Sequence, residues 1–222
     1  MNEQQQSLEA IHDIKRMMER SSRFISLSGL SGISAGICAL IGAWLAYPYV
    51  YGNKSLFINE AKAAALSEAG DYRFFLQVWL FWIAVGTFVA AFITAFIFTY
   101  IKSKKEGIPL WGQSAKRLML NVSIPMVVGA IFSLEILQYG YVGLNLLAPG
   151  CLIFYGLALI NASKYTLNEI RDLGFAEILL GIVSFRFNGY SLYFWAAGFG
   201  ILHIVYGAYM WVKYEKKDSS IQ

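Results

Sequence analysis

Six long apolar stretches dominate this sequence and limit the folds that the chain can adopt. A helix needs about 20 mostly apolar residues to cross a hydrocarbon layer of about 30 Å. A bilayer core offers no water to backbone polar groups, so such stretches cross it as helices. The predicted spans are 24–50, 74–101, 118–137, 143–162, 174–190 and 191–212. The sequence therefore predicts an all-α fold, a six-span transmembrane helical bundle.

The overall composition agrees with a membrane protein. Hydrophobic residues make up 57% of the chain and charged residues 14%, against about half and a quarter in soluble domains. Cys38 and Cys151, the two cysteines, lie far apart in apolar stretches. They cannot form the closely spaced pair of a cysteine metal site, nor a disulfide framework.

The fifth predicted span, 174–190, is the weakest of the six. Its 17 residues extend about 25 Å as a helix, and Glu177 and Arg186 interrupt its apolar character. If this segment does not cross, the chain has five spans and its C-terminus lies outside the cell.

The distribution of basic residues favours six spans. Lys and Arg accumulate on the cytoplasmic side of membrane proteins. With a cytoplasmic N-terminus, six spans place 14 of the 18 basic residues on that side, whereas five spans would keep only 11 there. Both termini are therefore expected in the cytoplasm. The basic residues lie on several short flanks, which favours contact with acidic lipid headgroups over nucleic-acid binding.

Three segments are expected to fold outside the bilayer. Residues 1–23 carry an apolar stripe that predicts an amphipathic cytoplasmic helix, lying on the membrane surface or docking a protein partner through residues 1–22. Between the first two spans, Asn59 can cap a short outer helix that Gly70 ends. Residues 214–222 form a cytoplasmic tail. The long first apolar stretch predicts an uncleaved span, not a signal peptide.

An internal repeat connects the second half of the chain with itself. Shifting the sequence by 51 residues aligns spans three and four with spans five and six without a gap. The identical pairs include Tyr155 with Tyr206 and Gly156 with Gly207. The pattern indicates a bundle built from repeated helical hairpins in parallel orientation. Glycines at four-residue spacing, Gly32 and Gly36, predict close helix packing in span one.

Ionisable and amide side chains within spans are costly and therefore informative. Glu177, Asn121 and Asn161 are predicted at similar depth, where they either form a polar pocket open to the cytoplasm or satisfy one another between helices. His203 lies near the middle of span six. It is expected to be enclosed and hydrogen-bonded, in a structural role or as a proton relay or ligand contact.

A second pair of candidates lies near the outer ends of spans three and five. The repeat aligns Glu135 with Arg186, which form an ion pair or reach the outer interface separately. The common catalytic signatures are absent from the sequence, and the one other histidine, His12, lies outside the predicted spans, which disfavours a metal site at His203. No catalytic residue, metal or cofactor is expected.

Two segments, Leu152–Thr166 and Gly198–Gly207, resemble a family of small bacterial multi-span inner-membrane proteins with no assigned activity. The resemblance implies a bacterial inner-membrane location and transfers no catalytic residue. We therefore expect a non-enzymatic regulatory or accessory bundle that works with a partner. The alternative is a small transporter or ligand-binding bundle using a polar intramembrane path. The oligomeric state is not predicted.

Overall fold

A computed structural model describes residues 28–107 and 112–215, and helices are the regular elements of these segments. The long helices confirm the all-α fold class. The helices are α1 (Gly29–Val50), α2 (Glu60–Glu68), α3 (Trp79–Glu106), α4 (Gln113–Ile136), α5 (Gly140–Ala162), α6 (Glu169–Ser184) and α7 (Ser191–Glu215). The expected amphipathic helix in residues 1–23 lies outside the described residues, as do residues 216–222 of the expected tail.

Helix α7 alternates between two helical forms. Its α-helical segments are Ser191–Trp195 and His203–Met210. Wider π-helical turns occupy Ala196–Leu202 and Trp211–Glu215. Such π-helical turns within α-helices are often found at functional sites.

Five of the described helices, α1, α3, α4, α5 and α7, are long and apolar enough to cross a membrane. Helix α6 has 16 residues, which extend about 24 Å. It begins five residues before the predicted span 174–190 and ends six residues before the end of that span. Glu177 consequently lies in the middle of its helix, not one turn from its start as the predicted span would place it.

The helices pack in a row with α3 at one edge and α4 at the other. Helix α1 packs between α3 and α7, and α5 packs between α4 and α6. Helix α7 joins the two groups, because it contacts α1 along most of its length and also contacts α5 and α6. Large apolar side chains such as Phe92 and Ile124 are exposed on α3 and α4, as expected for surfaces that face lipid.

Glycines allow the helices to approach closely at two crossings. A Cβ atom added at Gly156 of α5 would lie 2.6 Å from the carbonyl oxygen of Gly174 on α6. A Cβ atom added at Gly207 of α7 would lie 2.6 Å from the carbonyl oxygen of Gly29 on α1. The predicted close packing of α1 is confirmed at Gly36, where an added Cβ would meet the Gly200 oxygen at 2.6 Å.

The ends of the helices lie on two opposite sides of the row, and these two sides differ in chemistry. At one end, which we call the charged end, Glu169, Lys102, Lys213 and Glu215 form ion pairs. At the other, the aromatic end, Tyr51 stacks on Tyr193 with ring centroids 5.2 Å apart. Tyr49 and Trp79 lie at the same end, where α1 ends and α3 begins.

The loop between α1 and α3 contains the expected short helix. Asn59 caps α2 by accepting a hydrogen bond from the backbone N–H of Lys62 at 2.9 Å. The helix ends beside Gly70, whose φ of 66° is easily adopted by glycine. The prediction of this helix is confirmed.

Candidate functional site

A fully buried carboxyl group lies in the middle of α6. Glu177 has 0% solvent exposure, and neither of its carboxyl oxygens has a hydrogen-bond partner. Buried polar atoms are nearly always hydrogen-bonded, so an unsatisfied carboxyl group requires an explanation. The basic group nearest to it is the His203 imidazole, whose Nδ1 lies 3.4 Å from Glu177 Oε1.

The hydrogen bonds of His203 determine which ring nitrogen carries the proton in the neutral imidazole. Nδ1 lies 3.0 Å from the backbone carbonyl oxygen of Gly198, which can only accept, so Nδ1 carries a hydrogen. Nε2 of the neutral ring is then an acceptor, and the Tyr155 hydroxyl, 2.8 Å away, donates to it. The expectation that His203 is enclosed and hydrogen-bonded is confirmed, since the residue is 7% exposed.

Three helices bring these side chains together. Tyr155 comes from α5, Glu177 from α6 and His203 from α7. We call Tyr155, Glu177 and His203 the polar centre. It lies where α7 contacts the α5–α6 pair, near the middle of each helix.

Gly198 in the π-helical turn of α7 makes room for the polar centre. A Cβ atom added there would lie 2.5 Å from Glu177 Oε2 and would also overlap the Leu152 side chain. The Gly198 carbonyl accepts from His203 five residues later. This glycine therefore both orients the imidazole and admits the carboxyl group.

The polar centre is electrically neutral when Glu177 and His203 share one exchangeable proton. That proton is held on the carboxyl group, giving two neutral side chains, or on Nε2, giving an ion pair. Losing the proton would leave a net negative charge in the interior, and gaining a second would leave a net positive charge. Uncompensated buried charges are expensive, so the neutral state with one exchangeable proton is the favoured one.

The structure does not assemble the predicted polar pocket of Glu177, Asn121 and Asn161. Asn121 on α4 donates to the Arg117 carbonyl of its own helix at 2.8 Å. Asn161 at the end of α5 accepts from Lys164 at 3.3 Å. Asn161 lies one residue before the end of α5, whereas Glu177 lies in the middle of α6. Of the four predicted polar candidates, only Glu177 and His203 lie together.

Glu135 and Arg186, the predicted outer ion pair, both have exposed side chains. The ion pairs between described residues join Lys102 to Glu215, His203 to Glu177 and Lys213 to Glu169. A direct ion pair between Glu135 and Arg186 is not among them. The neighbours of α4 account for this, since α4 packs mainly against α5, which separates it from α6.

Tyr155 was not singled out as a functional residue by the sequence analysis. A tyrosine in an apolar helix looks like any other aromatic residue until its hydroxyl partner is known. The available signal was the repeat, which aligned Tyr155 with Tyr206. The packing of Gly198 against Glu177 had no signal in the sequence, because it depends on how α6 and α7 meet.

The described residues contain no group of three His, Cys, Asp or Glu side chains that could hold a metal ion. In comparisons with models of protein families, with curated proteins and with solved structures, nothing matches this chain.

Proposed function

We propose that this chain is a multi-pass membrane protein with six crossings and both termini in the cytoplasm, and that its role is regulatory or accessory, not enzymatic. The chemistry of the two ends supports this orientation. Lysines accumulate at the charged end, as on the cytoplasmic side of membrane proteins. The family resemblance adds a bacterial inner membrane as the location.

The course of α6 supports the sixth crossing. Glu169 at its start accepts a hydrogen bond from Lys213 of α7 at 2.5 Å, at the charged end. Past its last residue, the backbone N–H of Gly189 donates to Asn145 near the start of α5 at 3.1 Å. The segment thus runs from the charged end towards the opposite end. Its shortfall against a layer of about 30 Å is within what local thinning of the bilayer can accommodate.

The polar centre is the protonation site of this membrane protein. The observation that carries this assignment is the unsatisfied carboxyl group of Glu177, fully buried and 3.4 Å from His203 Nδ1. If this position served only for packing, an apolar side chain would cost less free energy to bury than the Glu177 carboxyl group. Ionisable residues at membrane depth mark functional sites by default.

Protonation of this centre changes how α7 is held against α5 and α6. The ion-pair form strengthens the attraction between Glu177 and His203, whereas the form without the exchangeable proton leaves a buried charge at the contact. Helix α7 joins the two groups of helices, so the proton biases the arrangement of the whole row. Residues 1–22, which precede α1, are the segment through which a protein partner would receive that change.

A proton-coupled transporter is the second candidate. The position of Glu177 favours it, because a carboxyl group midway along its helix is where a coupling proton must bind. The two functions differ in whether a solute crosses the membrane. Solute uptake driven by a proton gradient in vesicles containing the purified protein would favour the transporter.

The protonation site is tested by infrared difference spectroscopy of the purified full chain at two pH values. We expect the carbonyl band of a protonated carboxyl group to change with pH and to be missing in Glu177→Gln. The control is Glu68→Gln, which removes an exposed carboxyl group of α2 and should retain the band. The same band in Glu177→Gln, or no such band in the parent protein at any pH, would contradict the proposal.

A further inference from the structure

Two helix crossings in the row are built in the same way. At the α5–α6 crossing, Cβ atoms added at Gly156 and Gly174 would lie 2.6 Å and 2.8 Å from the carbonyl oxygen of the other residue. At the α1–α7 crossing, Gly29 and Gly207 stand in the same relation, with distances of 2.5 Å and 2.6 Å. Small residues let the backbones of membrane helices touch directly. Neither pair of helices can therefore rotate or slide without a clash of main-chain atoms.

Each crossing has a second point of backbone contact, seven residues further along α1 and α6. A Cβ atom added at Gly36 of α1 would lie 2.6 Å from the Gly200 carbonyl oxygen of α7. A Cβ atom added at Gly181 of α6 would lie 3.1 Å from the Pro149 carbonyl oxygen of α5. Seven residues of helix extend about 10 Å. Two contacts at this separation fix the relative orientation of the helices, so α1–α7 and α5–α6 each form a rigid helix pair.

Side chains, not backbones, make the contact between the two helix pairs at the polar centre. The atoms nearest to a Cβ added at Gly198 of α7 belong to the side chains of Leu152 and Glu177. The Tyr155 hydroxyl lies 2.8 Å from His203 Nε2, and Glu177 Oε1 lies 3.4 Å from Nδ1. Side chains can change their conformation where close-packed main chains cannot. This contact can therefore shift while each helix pair keeps its form.

The protonation state of Glu177 determines how strongly this contact is drawn together. Its Oε1 lies 3.4 Å from His203 Nδ1, beyond the roughly 2.7–3.2 Å of an N–H···O hydrogen bond. When Glu177 releases its proton to water, the resulting carboxylate is a strong acceptor beside the Nδ1–H group. The hydrogen bond forms only if the two side chains approach, which draws α6 towards α7.

From these contacts we infer that the bundle responds to the proton by moving as two rigid helix pairs, α1–α7 against α5–α6. Release of the proton draws the pairs together at the polar centre, and uptake lets them separate. The titratable groups at this contact are Tyr155, Glu177 and His203, and Tyr206 follows one turn later on α7. Helix α1 contains no charged residue or histidine. The inference rests on the proposed protonation site and adds the motion that this site controls.

Helix α1 gives this motion a direction towards a partner. The Glu215 carboxylate at the end of α7 accepts a hydrogen bond at 2.7 Å from the backbone N–H of Gly29, the first residue of α1. The start of α1 therefore follows α7. A partner bound through residues 1–22, which precede α1 in the sequence, would be displaced relative to α5 and α6.

The test measures distances between spin labels in the full chain in lipid nanodiscs, by pulsed electron paramagnetic resonance. Cysteines that replace exposed apolar residues carry the labels, at Trp44 and Val212 for α1–α7 and at Leu157 and Ile182 for α5–α6. The pH is set on each side of the transition of the carboxyl infrared band. We expect the distance between positions 44 and 182 to shorten by about 1–2 Å at the higher pH, the usual size of a helix shift. The distances within each pair, 44 to 212 and 157 to 182, should stay constant.

All labelled proteins carry alanine in place of Cys38 and Cys151. Glu177→Gln has no carboxyl proton to release, so it should keep the longer distance at both pH values. Glu68→Gln, which removes an exposed carboxyl group, should respond like the parent protein. If Glu177→Gln does not fold, the three distances of the parent protein decide the question.

Two results would overturn the inference while leaving the protonation site intact. In one, the carboxyl band changes with pH while the distance between the helix pairs stays constant. In the other, the distances within the pairs change as much as the distance between them. Absence of the carboxyl band at every pH would instead overturn the protonation site itself.

Discussion

At the residue scale, the polar centre differs from an ordinary buried hydrogen-bond network. His203 uses both ring nitrogens, one towards Gly198 and one towards Tyr155, so its position is well determined. Glu177 has no such bonds, and its carboxyl group lies close to Gly198. An acidic group held without hydrogen bonds is poorly suited to stabilising a fold and well suited to changing its protonation state.

The fit of Gly198 against Glu177 gives a prediction about stability. Gly198→Ala adds a Cβ atom 2.5 Å from Glu177 Oε2, so the carboxyl group or α7 must move. We expect the free energy of unfolding to fall by about 1–3 kcal/mol, which is typical of an overpacked interior. The fall is measured as a lower thermal midpoint in detergent. Gly86→Ala in α3 is the control, because an added Cβ there meets nothing within 4 Å. Equal stability of the two variants would contradict this packing.

Sequence reasoning identified Glu177 and His203 because charged groups in apolar helices stand out by composition alone. It could not pair them, because their meeting depends on the rotation of α6 and α7 about their axes. Asn121 seemed equally informative, yet its side chain bonds to its own backbone. An amide can be satisfied within one helix, whereas the buried carboxyl and imidazole groups interact across helices.

At the element scale, the end of α7 caps the start of α1. Glu215 Oε1 accepts from the backbone N–H of Gly29 at 2.7 Å and from the Ser28 hydroxyl at 3.1 Å. It also lies 3.5 Å from Lys102 of α3. A carboxylate at a helix N-terminus satisfies a free N–H group and interacts favourably with the helix dipole. One side chain thus connects three helices at the charged end.

This cap can be tested by substitution at Glu215. Glu215→Ala should destabilise the protein by about 1–2 kcal/mol, the usual cost of losing a helix cap together with its dipole interaction. Glu215→Gln retains an accepting oxygen, so it should lower the free energy of unfolding by less than Glu215→Ala does. Glu68→Ala on α2, an exposed position, serves as the control for thermal unfolding. A midpoint for Glu215→Ala equal to that of the control would show that the cap contributes nothing.

The observed bounds of α6 differ from those of the predicted fifth span. They show why the ends of a helix are harder to predict than its existence. Apolar residues continue past Ser184, and they suggested a span reaching residue 190. After Ser184 the α-helical pattern gives way to tighter turns, in which the N–H groups of Arg186 and Phe187 bond three residues back, and Gly189 follows with a φ of 84°. At its start, Glu169 accepts a hydrogen bond from Lys213, which lies 44 residues away in sequence, a contact that hydropathy does not predict.

At the scale of the whole molecule, the bundle is a row of helices with a joining helix, α7, near its centre. The long apolar stretches predicted this all-α architecture, since backbone hydrogen bonding in lipid leaves few alternatives. The order of the helices in the row was not predictable from hydropathy. It depends on glycine contacts such as Gly156 with Gly174 and Gly207 with Gly29. The repeat between the two hairpins of the second half stays a prediction.

The number of crossings decides whether Glu177 lies on a helix that crosses the membrane. It is measured by labelling single cysteines from outside intact cells, after Cys38 and Cys151 have been replaced by alanine. Probe positions are Ser67 in α2, Asn188 after α6 and Ser219 in the tail. We expect Ser67→Cys and Asn188→Cys to be labelled and Ser219→Cys to be protected. Labelling of Ser219→Cys with protection of Asn188→Cys would contradict the account, because α6 would then not cross the membrane.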